Sequence, residues 1–526
     1  MSLKKLLIAN RGEIAIRIAR TASELGIATV AVYSPDDAES LHCQYCDEAV
    51  DLTGVGVSAY LNVQSVVDVA VKSGCDALHP GYGLLSESAE LAQACADNGI
   101  IFVGPDVKTL QSFGDKISAR TLARSAKVAV IEGTDQVKTP EDIHAFFKSQ
   151  NQSPIMVKAV NGGGGRGMRV VTEAGDIESA FARCQAESLS AFGSDELYVE
   201  RFLPMVRHIE VQIVGDGTDV IHLWERDCTI QRRNQKMIEL APAPNLDPTV
   251  RQQLLDAAIT LGKACAYKGL GTVEFLLEVD QQGNAGEFFF IETNPRIQVE
   301  HTVTEEVTGL DLVAIQLRIA GGETLADLGL LQEAIALPNG FALQARITTE
   351  TVNDQGELVP TGGTLQQFQL PGGPGIRIDT YAYAGYSTNP HFDSLLAKLI
   401  VHSKRHDGSD NDLHQLLSKA ERALSETHIS GIDTNIDFLR RLLKLPDLQT
   451  WQVSVRGVEA QLPGLMSTAT TEIKKRFVTA KSSPAIECSE AIKTGTDYPE
   501  GTLPVNAPLQ SVLVSLEVAV GQTVQA

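Results

Sequence analysis

The stretch from Phe288 to His301, FFFIETNPRIQVEH, concentrates groups able to do chemistry. Its aromatic-aliphatic start, Phe288 to Ile291, reads as a buried strand. Glu292 and Asn294 lie two apart, so on an extended chain their oxygens face one side. Such a pair suits a hard cation such as Mg2+, which keeps its other positions for water and phosphate. Arg296 can hold a small planar anion through two hydrogen bonds, with the amide of Gln298 nearby. Glu300 can take a proton from that anion. A further carboxylate, Glu274, sits among apolar neighbours in GTVEFLLEV (Gly271 to Val279). A carboxylate placed there is costly unless paired or metal-bound, so Glu274 and Glu292 form a plausible two-carboxylate Mg2+ site.

Phosphate-binding groups lie upstream. SPIMVKAVNGGGGRGMRVV (Ser153 to Val171) reads as two strands joined by Gly162 to Gly165, Arg166 and Gly167. Consecutive glycines cost chain entropy that filler would not justify, and their amides can fold down on phosphate oxygens as a nest. Lys158, in the strand before the loop, points at the same phosphates, although this is not a Walker A loop. Lys116, near the start of a helical region in GDKISAR, can meet a phosphate too. ELYVERFLP (Glu196 to Pro204) is a strand leading into a bend where a buried adenine can pair with backbone groups. Val220 to Pro244 carries Glu225, Arg226, Arg232, Arg233 and Lys236. A run of charge this dense usually marks a solvated face, but here it interrupts strands beside phosphate ligands.

These groups need a scaffold. LLIAN (Leu6 to Asn10), helically spaced Ile14, Ile18 and Leu25, and TVAVY (Thr29 to Tyr33) make a βαβ unit and predict a parallel sheet. Apolar stretches at Asp76 to His79 and Ile100 to Val103 extend it, with HPGYGLLSE (His79 to Glu87) between them. A loop at the carboxyl end of a parallel strand is the usual ligand crevice, which makes Tyr82 a candidate substrate contact. At 526 residues the chain has room for two to four domains. A net charge of −22 argues against nucleic acid or anionic membrane as a partner, so an anionic substrate must be drawn in by local Lys and Arg. No apolar run approaches the roughly 20 residues needed to span a bilayer. MSLKKLLIANRGE lacks the features of a signal peptide. Eight scattered Cys suit a reducing cytoplasm, and the Cys43–Cys46 CxxC has no second pair at zinc spacing.

Taken in order, Lys116, Lys158, GGGGRGM, Glu274, Glu292, Asn294 and RIQVEH, together with HPGYG, resemble biotin carboxylase, an ATP-grasp enzyme, over roughly Lys4 to Leu445. The resemblance implies an α/β fold. A doubly wound N-terminal domain would cover 1–113, and an ATP-grasp central domain 114–330, with a mobile lid at about 130–202. A mixed α+β C-terminal domain would cover 331–446. It also implies roles. Lys116, Lys158, Gly163, Gly164, Gly165, Met168, His208, Gln231 and Leu276 contact ATP, with Glu200, Leu203 and Ile432 at the adenine. Glu274, Glu292 and Asn294 bind Mg2+ or Mn2+. Lys236, Arg296, Gln298 and Val299 hold bicarbonate, Glu300 is the general base, Arg346 stabilises the biotin enolate, and Tyr82 lies near biotin. Two departures stand out: Asn234 where many relatives have a ribose-contacting His, and Arg201 where Lys is frequent.

The activity implied is MgATP-dependent carboxylation of biotin by bicarbonate through carboxyphosphate, the first half-reaction of an acyl-CoA, pyruvate or urea type carboxylase. Another ATP-grasp ligase, such as a carbamoyl-phosphate synthetase half, and a non-catalytic partner subunit are the rival readings. RIQVEH with Arg346 argues against the first, and the intact Lys236, Arg296, Glu300 and Arg346 argue against the second. The expected partners are a biotinyl carrier domain and a carboxyltransferase, in a homodimer or larger assembly placed in the cytoplasm. Residues 447–500, with weak periodicity, read as a linker. Residues 501–526, in which Val512, Val514, Leu516, Val518 and Val520 alternate, resemble the truncated start of a biotinyl β-sandwich. No Met-Lys-Met hairpin follows there, so biotin is expected on another chain or a downstream domain.

Overall fold

A computed structural model of the chain describes residues 3–160, 167–352, 358–404, 412–457, 459–461 and 465. All of them belong to one compact unit, Met1–Phe477. The glycine loop Gly162 to Gly165, most of the expected linker and the sandwich-like end lie outside the described residues.

Five parallel strands open the chain, in the spatial order Glu48–Asp51, Ala28–Tyr33, Lys5–Ile8, Ala77–His79, Ile101–Phe102. The sheet is parallel, as expected from the βαβ unit, and its order is the doubly wound one that the resemblance implies. Its topological switch point lies between Lys5–Ile8 and Ala77–His79, so a crevice opens beyond their carboxyl ends. The HPGYG loop leaves from there. Asn10 Nδ2 donates to the carbonyls of Pro80 and Tyr82, at 2.7 and 2.8 Å, and ties the loop down. Gly81 makes that approach possible: its φ is +64°, and a Cβ would come within 2.7 Å of Asn10 Nδ2.

An eight-stranded antiparallel sheet forms the centre, ordered Ala285–Asn294, Lys268–Val279, Val206–Asp216, Val220–Arg232, Gln235–Ala241, Phe341–Thr348, Leu395–Ser403, Ile376–Thr380. Its period-2 patterning separates core from chemistry. In Val206–Asp216 the odd positions Ile209, Val211 and Ile213 join an apolar core that also takes Val273, Phe275 and Leu277 from Lys268–Val279. The even positions carry His208, Glu210 and Gln212, and the neighbouring strand presents Thr272, Glu274 and Leu276 in register with Gln212, Glu210 and His208.

Met168–Val171, Ile155–Ala159 and Leu197–Arg201 make a separate three-stranded sheet. Helices Pro140–Ser149 and Ile177–Phe192 cover it, around a core of its own that includes Ile143, Phe147, Val157 and Val199.

The region after Leu445 differs from the linker reading. Trp451 is 2% exposed, and Leu448, Val453 and Leu465 are buried with it in the core under Phe341–Thr348 and Leu395–Ser403. The indole N–H of Trp451 donates to Asp227 Oδ2 at 2.8 Å. Burial of one large aromatic and its apolar neighbours holds this segment to the body, although weak periodicity hides it. The seven described cysteines are free, and burial pushes the Cys43 and Cys46 thiols up to about 12 and about 11. No helix among the described residues is long and apolar enough to cross a membrane.

Candidate functional site

The central sheet brings its carboxylates into line. Glu292 faces Glu274 across one strand pair, Glu274 faces Glu210 across the next, and Glu210 faces Arg226 across the third. Directly opposed like charges destabilise a sheet unless cations intervene. Lys236 supplies one. Its Nζ lies 2.6 Å from Glu210, 3.0 Å from Glu274 and 2.7 Å from Glu300. Arg226, fully buried, supplies the other: it pairs with Glu210 through Nε and donates to Gln298 Oε1 at 2.9 Å. Arg226 and Arg232 are thus interior groups, while Arg233 is exposed in the turn that follows.

The protonation states follow from this packing. Burial alone would lower the Lys236 ammonium, but Glu210, Glu274 and Glu300 outweigh it and hold it charged. Burial opposes ionisation of Glu274, yet Lys236 and His208 bring its carboxyl well below the usual range. Glu300 is likewise held well below it: Lys236, Arg346 and Arg226 overcome the effect of burial. Glu292 goes the other way, raised by burial and by Glu274, with Lys116 only partly compensating. Lys116, the first residue of helix Lys116–Ser125, is lowered by burial and by Lys158.

A cavity of about 810 Å³ opens over this row. Glu274 receives Asn294 Nδ2 at 2.8 Å and Gln298 Nε2 at 2.9 Å, and His208 Nε2 stands 2.8 Å from its second oxygen, off the hydrogen-bonding line. Gln231 Nε2 bonds to His208 Nδ1 at 2.8 Å. Lys158 Nζ donates to Glu200 at 2.9 Å, and Arg120 approaches the same carboxylate at 3.3 Å. Next to Glu200, Ile131, Leu203, Val206 and Leu276 form an apolar slot with Met168 also lining the wall. At the other end Arg346 pairs with Glu239 through Nε at 2.5 Å and reaches Glu300 through Nη2 at 3.2 Å. Arg296 lines the cavity with its Nε bonded to Glu87, at 2.6 Å, and its Nη2 to Asn294.

The cavity therefore gathers Lys116, Lys158, Met168, Glu200, Leu203, His208, Gln231, Lys236, Glu274, Leu276, Glu292, Asn294, Arg296, Gln298, Val299, Glu300, Arg346 and Tyr82. Gly163, Gly164 and Gly165 lie outside the described residues. Ile432 does not line the cavity: it packs with Ile16, Leu365 and Tyr381 instead. Phe438 and Asn435, a few residues on, line it in that region. Asn234 is the second central residue of a two-residue hairpin, at φ +62° after Arg233 at φ +47°. Asn tolerates that left-handed conformation well, which gives the departure at this position a backbone reason. Arg201 lies 3.4 Å from Glu278 at the cavity wall.

Several participants were not anticipated: Glu210, Glu239, Cys228, Glu87 and the late pair Arg456 and Glu459. Glu210 and Glu239 carry the signal that marks Glu274, a carboxylate inside a strand. Arg456, whose guanidinium lies 4.5 Å over the Phe202 ring, gives no sequence signal.

Three family models match the chain in succession: "Biotin carboxylase, N-terminal domain" at residues 2–110, "Carbamoyl-phosphate synthase L chain, ATP binding domain" at 115–328, and "Biotin carboxylase C-terminal domain" at 344–460. Mitochondrial pyruvate carboxylase of Mus musculus is 46% identical over 447 residues, 84% of this chain and 36% of that protein. Pyruvate carboxylase of Staphylococcus aureus is 44% identical over 465 residues, 87% of this chain and 39% of that protein. The chain thus spans well under half the length of these relatives. Among solved structures, the biotin carboxylase domain of a single-chain bacterial carboxylase shares 47% identity at TM-score 0.77, covering 88% of this chain and 98% of that one. The biotin carboxylase domain dimer of Hydrogenobacter thermophilus 2-oxoglutarate carboxylase, solved with MgADP, ADP and bicarbonate, shares 38% identity at TM-score 0.81, covering 89% and 99%.

Proposed function

Because this chain belongs to the biotin carboxylase family, we propose that it uses ATP and bicarbonate to carboxylate a ureido nitrogen of biotin. The observation that carries this reading is the meeting of Lys236, Glu300 and Arg346 beside the carboxylate row, in one cavity with the nucleotide-type slot.

Glu300, kept ionised by Lys236 and Arg346, accepts the proton of bicarbonate. Lys236 and Arg296 hold the anion in line with the γ-phosphate. An oxygen of bicarbonate then bonds to phosphorus as the bond to the ADP oxygen breaks, giving carboxyphosphate and ADP. Lys116 and Lys158 face the phosphates, a contribution of charge and positioning rather than of covalent chemistry. Carboxyphosphate falls to CO2 and phosphate, the phosphate takes the ureido proton, and the nitrogen captures CO2. Arg346, anchored by Glu239, offers its guanidinium to the oxygen on which negative charge develops. The slot of Leu203 and Leu276 takes the adenine.

The carboxylate row fits a divalent cation. Glu292 is held in register against Glu274, and burial together with that neighbour raises its carboxyl, a conflict that a hard cation would relieve. Glu274, Glu292 and Asn294 would hold it, and it would supply positive charge to the phosphates.

The reading extends to the rest of the machinery. A biotinyl carrier domain would deliver biotin, a carboxyltransferase would use the product, and the chain would pair as the 2-oxoglutarate carboxylase domain does. Free cysteines suit a reducing compartment, the cytoplasm in this reading. The proposed domain divisions near residues 113 and 330 are supported by the family models, whose matches change over between 110 and 115 and between 328 and 344. The test is Glu300→Gln: bicarbonate-dependent ATP cleavage with free biotin should fall about 10^2 to 10^4-fold with nucleotide binding retained. Turnover near that of the unaltered chain would remove Glu300 from the mechanism.

A further inference from the structure

Lys398 lies in the apolar run LLAKLIVHS of strand Leu395–Ser403 and is fully buried. Its ammonium makes three short contacts. It lies 2.9 Å from Glu13 Oε1 and 3.6 Å from Asp379, and it donates to the carbonyl of Val299 at 3.1 Å. Glu13 Oε1 also accepts the hydroxyl proton of Tyr82. Asp379 is engaged by both guanidinium arms of Arg377, at 3.0 and 2.9 Å. A buried chain of contacts thus runs from Tyr82, on the loop leaving the parallel sheet, through Glu13 and Lys398 to the peptide between Gln298 and Glu300.

A buried ammonium needs partners, and Glu13 with Asp379 would satisfy it. The Val299 contact goes further. Lys398 spends a donor on the one peptide whose neighbours are the Gln298 amide and the Glu300 carboxylate. Lys398 stands directly opposite Arg346 in the antiparallel register, so the two side chains leave the same face of the sheet. Two adjacent residues of one sheet row therefore hold neighbouring parts of one stretch: Arg346 reaches the Glu300 carboxylate and Lys398 the Val299 carbonyl just before it.

We propose that Lys398 is a positioning residue for the carboxylation half of the site. It fixes the Val299 peptide, and with it Gln298 and Glu300, against the sheet through its bond to the Val299 carbonyl, while Glu13 and Asp379 balance its charge. This deepens the reading given above and rests on it. Displacements of about 1 Å at a reacting group can cost on the order of a hundredfold in rate, so a modest relaxation of this peptide is enough to register in turnover.

Lys398→Met alone takes from buried Glu13 the cation beside it and can fail to fold, whereas Asp379 keeps Arg377. The decisive variant is Glu13→Gln with Lys398→Met, which removes both charges and leaves an acceptor for Tyr82. It should show nucleotide affinity like that of the unaltered chain, with bicarbonate-dependent kcat/KM lowered about tenfold to a hundredfold, chiefly through the KM for bicarbonate. Glu13→Gln alone leaves Lys398 bonded to Val299 and paired with Asp379, and should keep the bicarbonate KM within about twofold, a prediction from the same geometry. A doubly substituted chain with an unaltered bicarbonate KM overturns the proposal. So does a Glu13→Gln chain impaired as much as the double variant, because then the charge pair and not the Val299 contact carries the effect. If the unaltered chain shows no bicarbonate-dependent ATP cleavage at all, the functional reading fails instead, and the two failures are told apart in the same assay.

Discussion

Replacing Lys236 by Met keeps most of the side-chain volume and removes a charge shared by three buried carboxylates. The lysine stands within 3.0 Å of Glu210, Glu274 and Glu300, and after the change each retains a partial set of partners: Arg226 for Glu210, His208 for Glu274, Arg346 for Glu300. Breaking a buried ion pair by removing one partner costs about 3–5 kcal/mol. At roughly 2 °C per kcal/mol for a large domain, the unfolding midpoint should drop about 6–10 °C. The pH dependence is the sharper test. In the native chain Glu274 and Glu300 lie below the ordinary 4.5, so the stability they contribute is complete above that value and is lost only in acid. Without the lysine, burial raises the Glu274 carboxyl, left with His208 beside it, while Glu300 keeps Arg346 and Arg226. A raised carboxyl contributes stability below its unfolded value and loses it as pH rises through the folded one. The gap between variant and native chain should therefore widen from pH 5.5 to 8.5, by up to about 1.4 kcal/mol per pH unit for each carboxyl titrating there. Thermal unfolding without nucleotide, followed at several pH values, measures it. A gap independent of pH would mean that Lys236 does not govern the ionisation of this cluster.

Glu292→Gln removes a carboxyl that is raised in the fold and so costs stability above its folded value; the variant should unfold no lower than the native chain at pH 8, but should lose most of the stabilisation by MgATP, about 2.7 kcal/mol for a ligand at a hundred times Kd. An undiminished MgATP shift in a thermal melt would remove Glu292 from the cation site. Trp451→Ala should cost about 3–5 kcal/mol, since it empties a buried aromatic site and leaves Asp227 without the indole donor. A chain ending at Leu445 should unfold at lower temperature for the same reason, whereas an unchanged midpoint would restore the linker reading.

Much of this site was legible because its elements are locally patterned. Glu274 announced itself as a carboxylate in an apolar strand, and Glu292, Asn294, Arg296 and Glu300 came from one short stretch whose spacing survives in the fold. Glu210 and Glu239 gave the same kind of signal, masked by the polar neighbours His208 and Gln212 in one strand and by the charged approach to the other. The parallel order of the first sheet followed from the βαβ unit, and the placement of Tyr82 followed from the sheet. Contacts between distant segments were not legible. Nothing in the spacing of Glu13 and Lys398, 385 positions apart, says that they pair. Trp451 is a lone aromatic in a weakly periodic stretch, and only its partner Asp227, on a strand more than two hundred residues earlier, shows why it is buried. Ile432, which the resemblance puts at the adenine, packs against the cluster of Ile16, Leu365 and Tyr381, a set of neighbours that its local spacing does not reveal.

In the proposed reaction an oxygen of bicarbonate attacks the γ-phosphate of ATP in the cavity over Glu274, Glu292 and Lys236. Supplying bicarbonate labelled with 18O, together with ATP, Mg2+ and free biotin, follows that oxygen. If carboxyphosphate forms and breaks down as described, the inorganic phosphate released carries one labelled oxygen from bicarbonate, and carboxybiotin accumulates only when bicarbonate is present. Phosphate whose new oxygen comes from water, at a rate that does not depend on bicarbonate, would rule out carboxyphosphate as the intermediate.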